Sequence, residues 1–194
     1  MENKKEMSPV AINQVDHVEA IKHLLQATDK SGIKPAFFGV YYDAEEKALV
    51  SSDTRRLFMF KGFDGSDYGM ISGVYHVVKD KKSMMLVYQS DCNFPNYKQV
   101  IPSIEGKEVV KNIEVSSKKD YQVVDLSKAL VNISKIIKVG FLNYDFLKSA
   151  LIPHVSINAY VDANSLSAVH FVANEKVFGM DYEAIIMPNI FKQD

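Results

Sequence analysis

The stretch that most constrains this chain is residues 48–60, ALVSSDTRRLFMF. An apolar run, Ala48-Leu49-Val50, falls into Ser51-Ser52-Asp53. Two arginines follow, and then Leu57-Phe58-Met59-Phe60. Two β-strands meeting at a tight polar corner are spelled this way, because Ser and Asp side chains bond the local backbone and favour the turn. Arg55 and Arg56 are the unusual part. Each carries a fixed charge and five donors, and beside a hydrophobic core it needs partners. Two readings follow. Asp53 pairs with Arg55 or Arg56 and makes Asp53 and Arg55 a structural corner, the ordinary fate of near-buried charge. Alternatively, one arginine rims a binding site.

Around this corner the pattern repeats. Val10-Ala11-Ile12 reads as a short strand, and residues 1–9 before it as a flexible tail. Val15, Val18, Ile21, Leu24 and Leu25 fall at the spacing of an amphipathic helix. Asn13 is its expected cap, Asp16 favours its first turn, and Gly32 is its expected stop. Its outer face is expected to carry Asp16, Glu19, Lys22, His23, Gln26 and Lys30. Strands are expected at 37–42, 48–52 and 56–61, a meander rich in aromatic and β-branched residues. Residues 74–78 and 84–88 suggest a further hairpin around Lys79-Asp80-Lys81-Lys82. Residues 93–102, NFPNYKQVIP, are bounded by prolines and cannot be helical throughout. They read as an extended segment anchored by Phe94 and Tyr97. Residues 103–120 are polar and lysine-rich, with a strand at 109–115. Asp125 is the expected cap of a second helix that turns Leu126, Leu130, Ile133 and Ile137 inward, and Asn143 caps a third. Strands at 155–161, 168–172 and 182–187 close the chain, with Asp162-Ala163-Asn164-Ser165 as one of the turns. Helices and strands are segregated rather than alternating, so the expected class is α+β, in duplicated helix-plus-antiparallel-strand halves.

Composition decides what such a chain is not expected to do. A net charge of -1 gives no global basic field for nucleic acid. Two lysine clusters, Lys22-Lys30-Lys34 and Lys79-Lys81-Lys82, leave room for local phosphate contacts, although a solvated surface explains either one. The single cysteine, Cys92, allows neither an internal disulfide nor a cysteine-based zinc site, and points to a reducing, cytoplasmic compartment. No apolar run approaches the roughly 18–20 residues of a membrane span, and the polar N-terminus lacks the apolar core of a signal peptide. No phosphate-cradling glycine loop, GxSxG elbow or HExxH is present. His17 and His23 point to different helix faces, and His76, His154 and His170 each sit alone in an expected strand, where a structural role is the commoner one. No metal and no cofactor are expected.

Three stretches together resemble one family. SDTRRL (residues 52–57) is similar to the T-D-x-x-R-L corner of the bacterial DNA sliding clamp, the beta subunit of the replicative DNA polymerase III. NFPNYKQVIP resembles that family's F-P-[DN]-Y-x-x-[VL]-[IL]-P segment, and AIIMP (residues 184–188) its terminal V-V-M-P. The resemblance implies a DNA-clamp-like fold in a short, divergent member of phage or mobile-element type. A full clamp subunit has three domains, and in it the proline-bounded segment closes a domain. Here that segment lies between the two halves. Either an insertion carries it, or two shortened domains meet near Pro102. The first is adopted: a single clamp-like domain over residues 10–194, with an inserted middle section at about 69–125.

The resemblance also implies roles. Clamp helices line the hole that faces DNA, which makes Lys22 and Lys30 the DNA-facing candidates. The corner and the terminal segment border the family's pocket for partner peptides, which implies Arg56, Leu57, Ile185, Met187 and Pro188. Core packing alone would account for all of these but Arg56. The expected function is therefore a noncatalytic replication accessory, or processivity, protein acting by DNA encirclement or partner docking. Its expected partners are double-stranded DNA, a polymerase or other replication protein through a short peptide, and further copies of itself. The alternatives are a clamp-fold protein-interaction module without DNA binding, and a small hydrolase or transferase with no recognisable motif.

Overall fold

The computed structural model describes residues 7–31, 33–79, 83–137, 140–163 and 167–190. Residues 1–6 of the expected tail, the expected helix stop Gly32, Asp80, Lys81 and Lys82 of the second lysine cluster, and the Asn164-Ser165 turn lie outside the described residues. The chain divides into two compact units. The first takes residues 1–54, 58–96 and 178–180; the second takes 55–57, 97–177 and 181–194.

In the first unit β1 (Val10–Ile12), β2 (Val40–Asp43), β3 (Ala48–Ser52), β4 (Arg56–Lys61), β5 (Gly73–Lys79) and β6 (Met84–Tyr88) form antiparallel sheet in the order β1-β6-β5-β2-β3-β4. The first residues of β4 group with the second unit. One helix, α1 (Val15–Leu24), packs against β3. It turns Val18, Ala20, Ile21, His23 and Leu24 inward. Its N-cap is Gln14, which makes no capping bond, and not Asn13. Its C-terminal end is closed from the sheet: Ser51 Oγ donates to the Leu24 carbonyl at 2.7 Å in a buried position. Thr28 Oγ1 donates to the next carbonyl, Leu25, at 3.0 Å, so the orphan acceptors of the last turn are met without a glycine. His23 is not on the outer face. It is 8% exposed and stacks on Phe58 with ring centroids 5.3 Å apart. Val15, expected inward, is 72% exposed. Phe37, expected as the first residue of a strand, instead ends a short tight helix over Pro35–Phe37, as Pro35 in its first turn favours.

In the second unit β7 (Glu108–Ile113), β9 (Ile157–Val161), β10 (Val169–Ala173) and β11 (Asp181–Ile186) pair in the order β11-β10-β9-β7. Two short strands, β8 (Gly140–Phe141) and β12 (Asn189–Ile190), form a separate ribbon. Gly140 is needed there, because a Cβ on it would stand 2.4 Å from the Asn189 carbonyl oxygen. Two helices complete the unit: α2 (Lys119–Ser134) and α3 (Tyr144–Ala150). They pack on each other, α2 also on β7 and α3 on β11. The Tyr182 hydroxyl donates to the Ala150 carbonyl at 2.8 Å, closing α3 much as Ser51 closes α1. Asn143 caps α3 as expected, accepting from the Asp145 and Phe146 N–H groups at 2.9 and 3.1 Å. Asp125 does not cap α2. It lies inside the helix and accepts from the Ser116 N–H at 3.1 Å.

The section expected as an insertion at about 69–125 contributes to both compact units. Residues 69–96 supply β5 and β6, and β5 pairs with the central β2, so they complete the first unit's sheet. Residues 97–125 supply β7 and the start of α2 in the second unit. The proline-bounded segment sits at the division. Phe94 ends the first unit, stacked on Tyr41 at 4.9 Å. Tyr97, 5% exposed, opens the second in a short tight turn over Tyr97–Val100.

Candidate functional site

The corner between β3 and β4 is built by its own side chains. The Thr54 N–H donates to Ser52 Oγ at 3.0 Å, and Thr54 takes a φ of 75°, left-handed and unusual for a β-branched residue. That twist delivers Arg55 and Arg56 to the second unit. Arg56 is half-buried, its guanidinium 4.4 Å from the centre of the Phe146 ring. Nη1 donates to Ser149 Oγ at 2.8 Å, and that hydroxyl donates to the Phe146 carbonyl at 2.8 Å. Phe146 and Ser149 are three apart on α3, so one helical face holds both. The ring contact and the Ser149 bond together fix the guanidinium. The strand end arrives from the other side: the Met187 N–H donates to the Arg55 carbonyl at 2.9 Å.

Of the five residues expected at a peptide pocket, Arg56, Met187 and Pro188 reach the surface, with Met187 43% exposed. Leu57 and Ile185 are 4% and 3% exposed, inside the core. Sequence reasoning missed Phe146, Ser149 and the Arg55 carbonyl. The Asn143 cap places α3, and the i, i+3 spacing of Phe146 and Ser149 was the available signal. Arg55 is exposed and Asp53 half-exposed at the corner.

The two DNA-facing candidates belong to the first unit. Lys22 lies on α1 and pairs with Glu19, which offsets its charge. Lys30 is exposed beyond the helix, beside a turn in which Asp29 Oδ1 accepts from the Ser31 N–H at 2.8 Å.

Several histidines elsewhere make structural contacts. His23 is held near pKa 4 by burial. His17 meets the Tyr68 hydroxyl at 3.0 Å, and burial lowers its pKa against the opposing pull of Asp16 and Asp67. His170 is not a lone strand histidine. Nε2 lies 2.8 Å from Glu183 Oε2 and Nδ1 3.2 Å from the Pro102 carbonyl, so the ring ties the end of the proline-bounded segment to β10 and β11. Ser117 and His154 make an exposed pair at 3.0 Å. Such a pair needs a third group to orient the ring before it can act as nucleophile and base. Among the described residues, no three His, Cys, Asp or Glu side chains gather as metal ligands do, and no helix is long and apolar enough to cross a membrane.

No family model matches the sequence, and no curated protein matches it in sequence. Solved structures do match in fold. The beta sliding clamp of C. crescentus superposes with a TM-score of 0.64 at 12% identity, over 98% of this chain and 67% of that one. The sliding clamp (DNA polymerase III subunit beta) of Bartonella birtlesii, bound to griselimycin, gives 0.63 at 11% identity, over 98% and 68%. DNA polymerase III subunit beta of Borrelia burgdorferi, in complex with a natural product, gives 0.59 at 13% identity, over 99% and 66%. The chain has the α+β sliding-clamp fold and spans about two-thirds of the length of these clamps. At such identity the likeness concerns the fold, and function has to be argued from the site.

Proposed function

We propose that this protein is a noncatalytic, clamp-like accessory of DNA replication, which acts by holding DNA or docking a partner and makes or breaks no bond itself. The observation that carries the reading is the match of 98% of the chain to sliding clamps in fold, beside three stretches that resemble that family in sequence. The Arg56–Phe146–Met187–Pro188 surface supports the docking part. It offers the exposed Met187 and half-buried Pro188, with Arg56 held on the Phe146 ring. A short apolar peptide suits that chemistry. Lys22 and Lys30 are the proposed DNA contacts.

Light scattering with and without DNA, at two salt concentrations, tests the reading. The expected result is an oligomer that retains circular DNA, slides off linear DNA and weakens as salt rises. A monomer indifferent to DNA at low salt overturns the DNA-holding part. The surviving reading is then a protein-interaction module, which the Lys22–Glu19 pairing and the net charge of -1 favour. For that reading Met187→Asp is the informative variant. Its exposed side chain can be changed without unfolding the core, whereas Leu57→Asp would bury a charge. Met187→Asp is expected to abolish binding of a polymerase-derived peptide measured by fluorescence anisotropy.

A further inference from the structure

The first unit's sheet opens into a cleft where β1 begins. β1 pairs with β6 through Val10 and Leu86, Ala11 and Met85, and Ile12 and Met84. Continued one step, that register would set Ser8 opposite Tyr88. The strand begins only after Pro9, which has no N–H with which to extend a ladder. Tyr88 meanwhile stays paired with Tyr75 on its other side. The opening is a cleft of about 800 Å³, whose lining includes Met7, Val10, Asp67, Tyr68, Ile71 and Tyr88. Its two aromatic rings are held from behind. Tyr68 lies parallel to the buried Phe63, with ring centroids 5.8 Å apart, and its hydroxyl meets His17 Nδ1 at 3.0 Å. Tyr88 leans on Tyr75 at 5.4 Å, and it lies so close to Gly73 that a Cβ there would stand 2.4 Å from its Cε2.

The charge of the cleft has one sign. Its lining carries a carboxylate and two phenols, and no cationic side chain. Asp64, three residues before Asp67, is neutralised by Lys47. Asp67 is exposed and pairs with no cation among the described residues, since the nearby Lys47 amine is engaged by Asp64. Its charge reaches into the site. Burial raises the Tyr68 hydroxyl pKa and Asp67 adds to the rise, while Asp67 opposes the lowering of His17 by burial. An aromatic face attracts a cation, and a carboxylate beside it strengthens the attraction. Half-buried Met7 and half-exposed Ile71 offer apolar surface on which the aliphatic stem of a long basic side chain can lie. The cleft is larger than one side chain fills, so its occupant is a length of chain. We infer that it docks a basic, extended segment of a partner protein, with an arginine or lysine side chain seated against the Tyr68 and Tyr88 rings beside Asp67.

The inference is independent of whether the protein holds DNA, and of the Arg56 surface, whose fixed charge is of the opposite sign. NMR titration of the full chain reads it directly. The probe is the acetylated, amidated peptide Ala-Leu-Arg-Leu-Ala, and its control carries neutral citrulline in place of arginine. The arginine peptide is expected to give saturable shifts in the amides of residues 7–11 and 67–71 and of Tyr88, weakening as salt rises. The citrulline peptide is expected to bind about tenfold more weakly, having lost both the ring and the carboxylate attraction. Asp67→Asn should weaken the arginine peptide about threefold and Asp67→Lys about tenfold. Asp67 is exposed, so neither change disturbs the core, and circular dichroism checks this. Tyr88→Leu should cost about threefold, whereas Tyr88→Phe keeps the ring and should retain binding. Equal binding of the citrulline peptide overturns the inference. So does indifference to Asp67→Lys, or the absence of saturable shifts at the cleft with millimolar peptide.

Discussion

On α1 the exposed residues facing away from the core include Asp16 and Lys22, with Glu19 beside them in an ion pair. On α2 the same outward position is held by Val124 and Val131. Both helices turn an apolar stripe inward: Ile21 and Leu24 on α1, Leu126 and Ile133 on α2, each at most 1% exposed. The inner stripes do the same work, since burying an aliphatic side chain contributes about 1.5–3 kcal/mol. The outer faces do not. On α1 one exposed valine, Val15, sits at the start of the helix among these charges, whereas the two valines of α2 form a row that gains only when something covers it. The contrast separates what holds each unit together from what the surface is available to do.

The inner faces are the place to break this comparison with the largest effect. Ile21→Ala and Ile133→Ala each leave a cavity where the side chain is fully buried, and each is expected to cost about 2–5 kcal/mol by urea unfolding. A loss near zero for Ile133→Ala would mean that α2 is loosely seated, and its outer row would then be a symptom of poor packing.

His23 gives α1 a feature that the α2 inner stripe lacks. Burial holds its pKa at about 4, below the ordinary 6.5. As pH falls, the unfolded chain therefore takes up the proton first, and the folded state is penalised between about 6.5 and 4. The stability contributed by a neutral His23 is complete above about pH 6.5 and is lost downwards through that window. Between about pH 7 and about pH 4.5 the loss from this group is about 2–3 kcal/mol. His17, also lowered by burial, adds in the same direction. His23→Leu should flatten the acid limb of the stability profile. An unchanged limb would show that α1 opens before its core is tested.

The same two helices mark how far the sequence is legible. Strands with dense β-branched and aromatic residues declared themselves: β1, β3, β4 and β6 match the expected bounds. Asn143 declared α3, because a side-chain cap is a local signal. The start of α2 did not. Its first turn, Lys119-Asp120-Tyr121-Gln122, has no side-chain cap and is mostly exposed, so neither capping nor burial wrote it into the sequence. His23 was misplaced because its position depends on Phe58, contributed by β4, and spacing along one helix cannot report that contact. The division at 96/97 was hidden for a similar reason. Phe94 and Tyr97 look like anchors of one segment, and tertiary packing assigns them to different units. At the corner, Arg56 was legible as a charge needing partners. Phe146 and Ser149 come from a distant helix and were not legible.

The smallest effect separates the outer faces, and it is the sharpest test of the contrast. Lys22→Ala removes an exposed ion pair whose side chains are 50% and 43% exposed, and such pairs contribute about 0.3–0.5 kcal/mol. Val124→Ser removes half-exposed apolar surface and should also stay within about 0.5 kcal/mol in dilute urea unfolding. By stability alone the two faces are therefore indistinguishable. A loss above about 1 kcal/mol for Val124→Ser would mean that the valine row packs against its own unit, and the contrast between the two outer faces would fail.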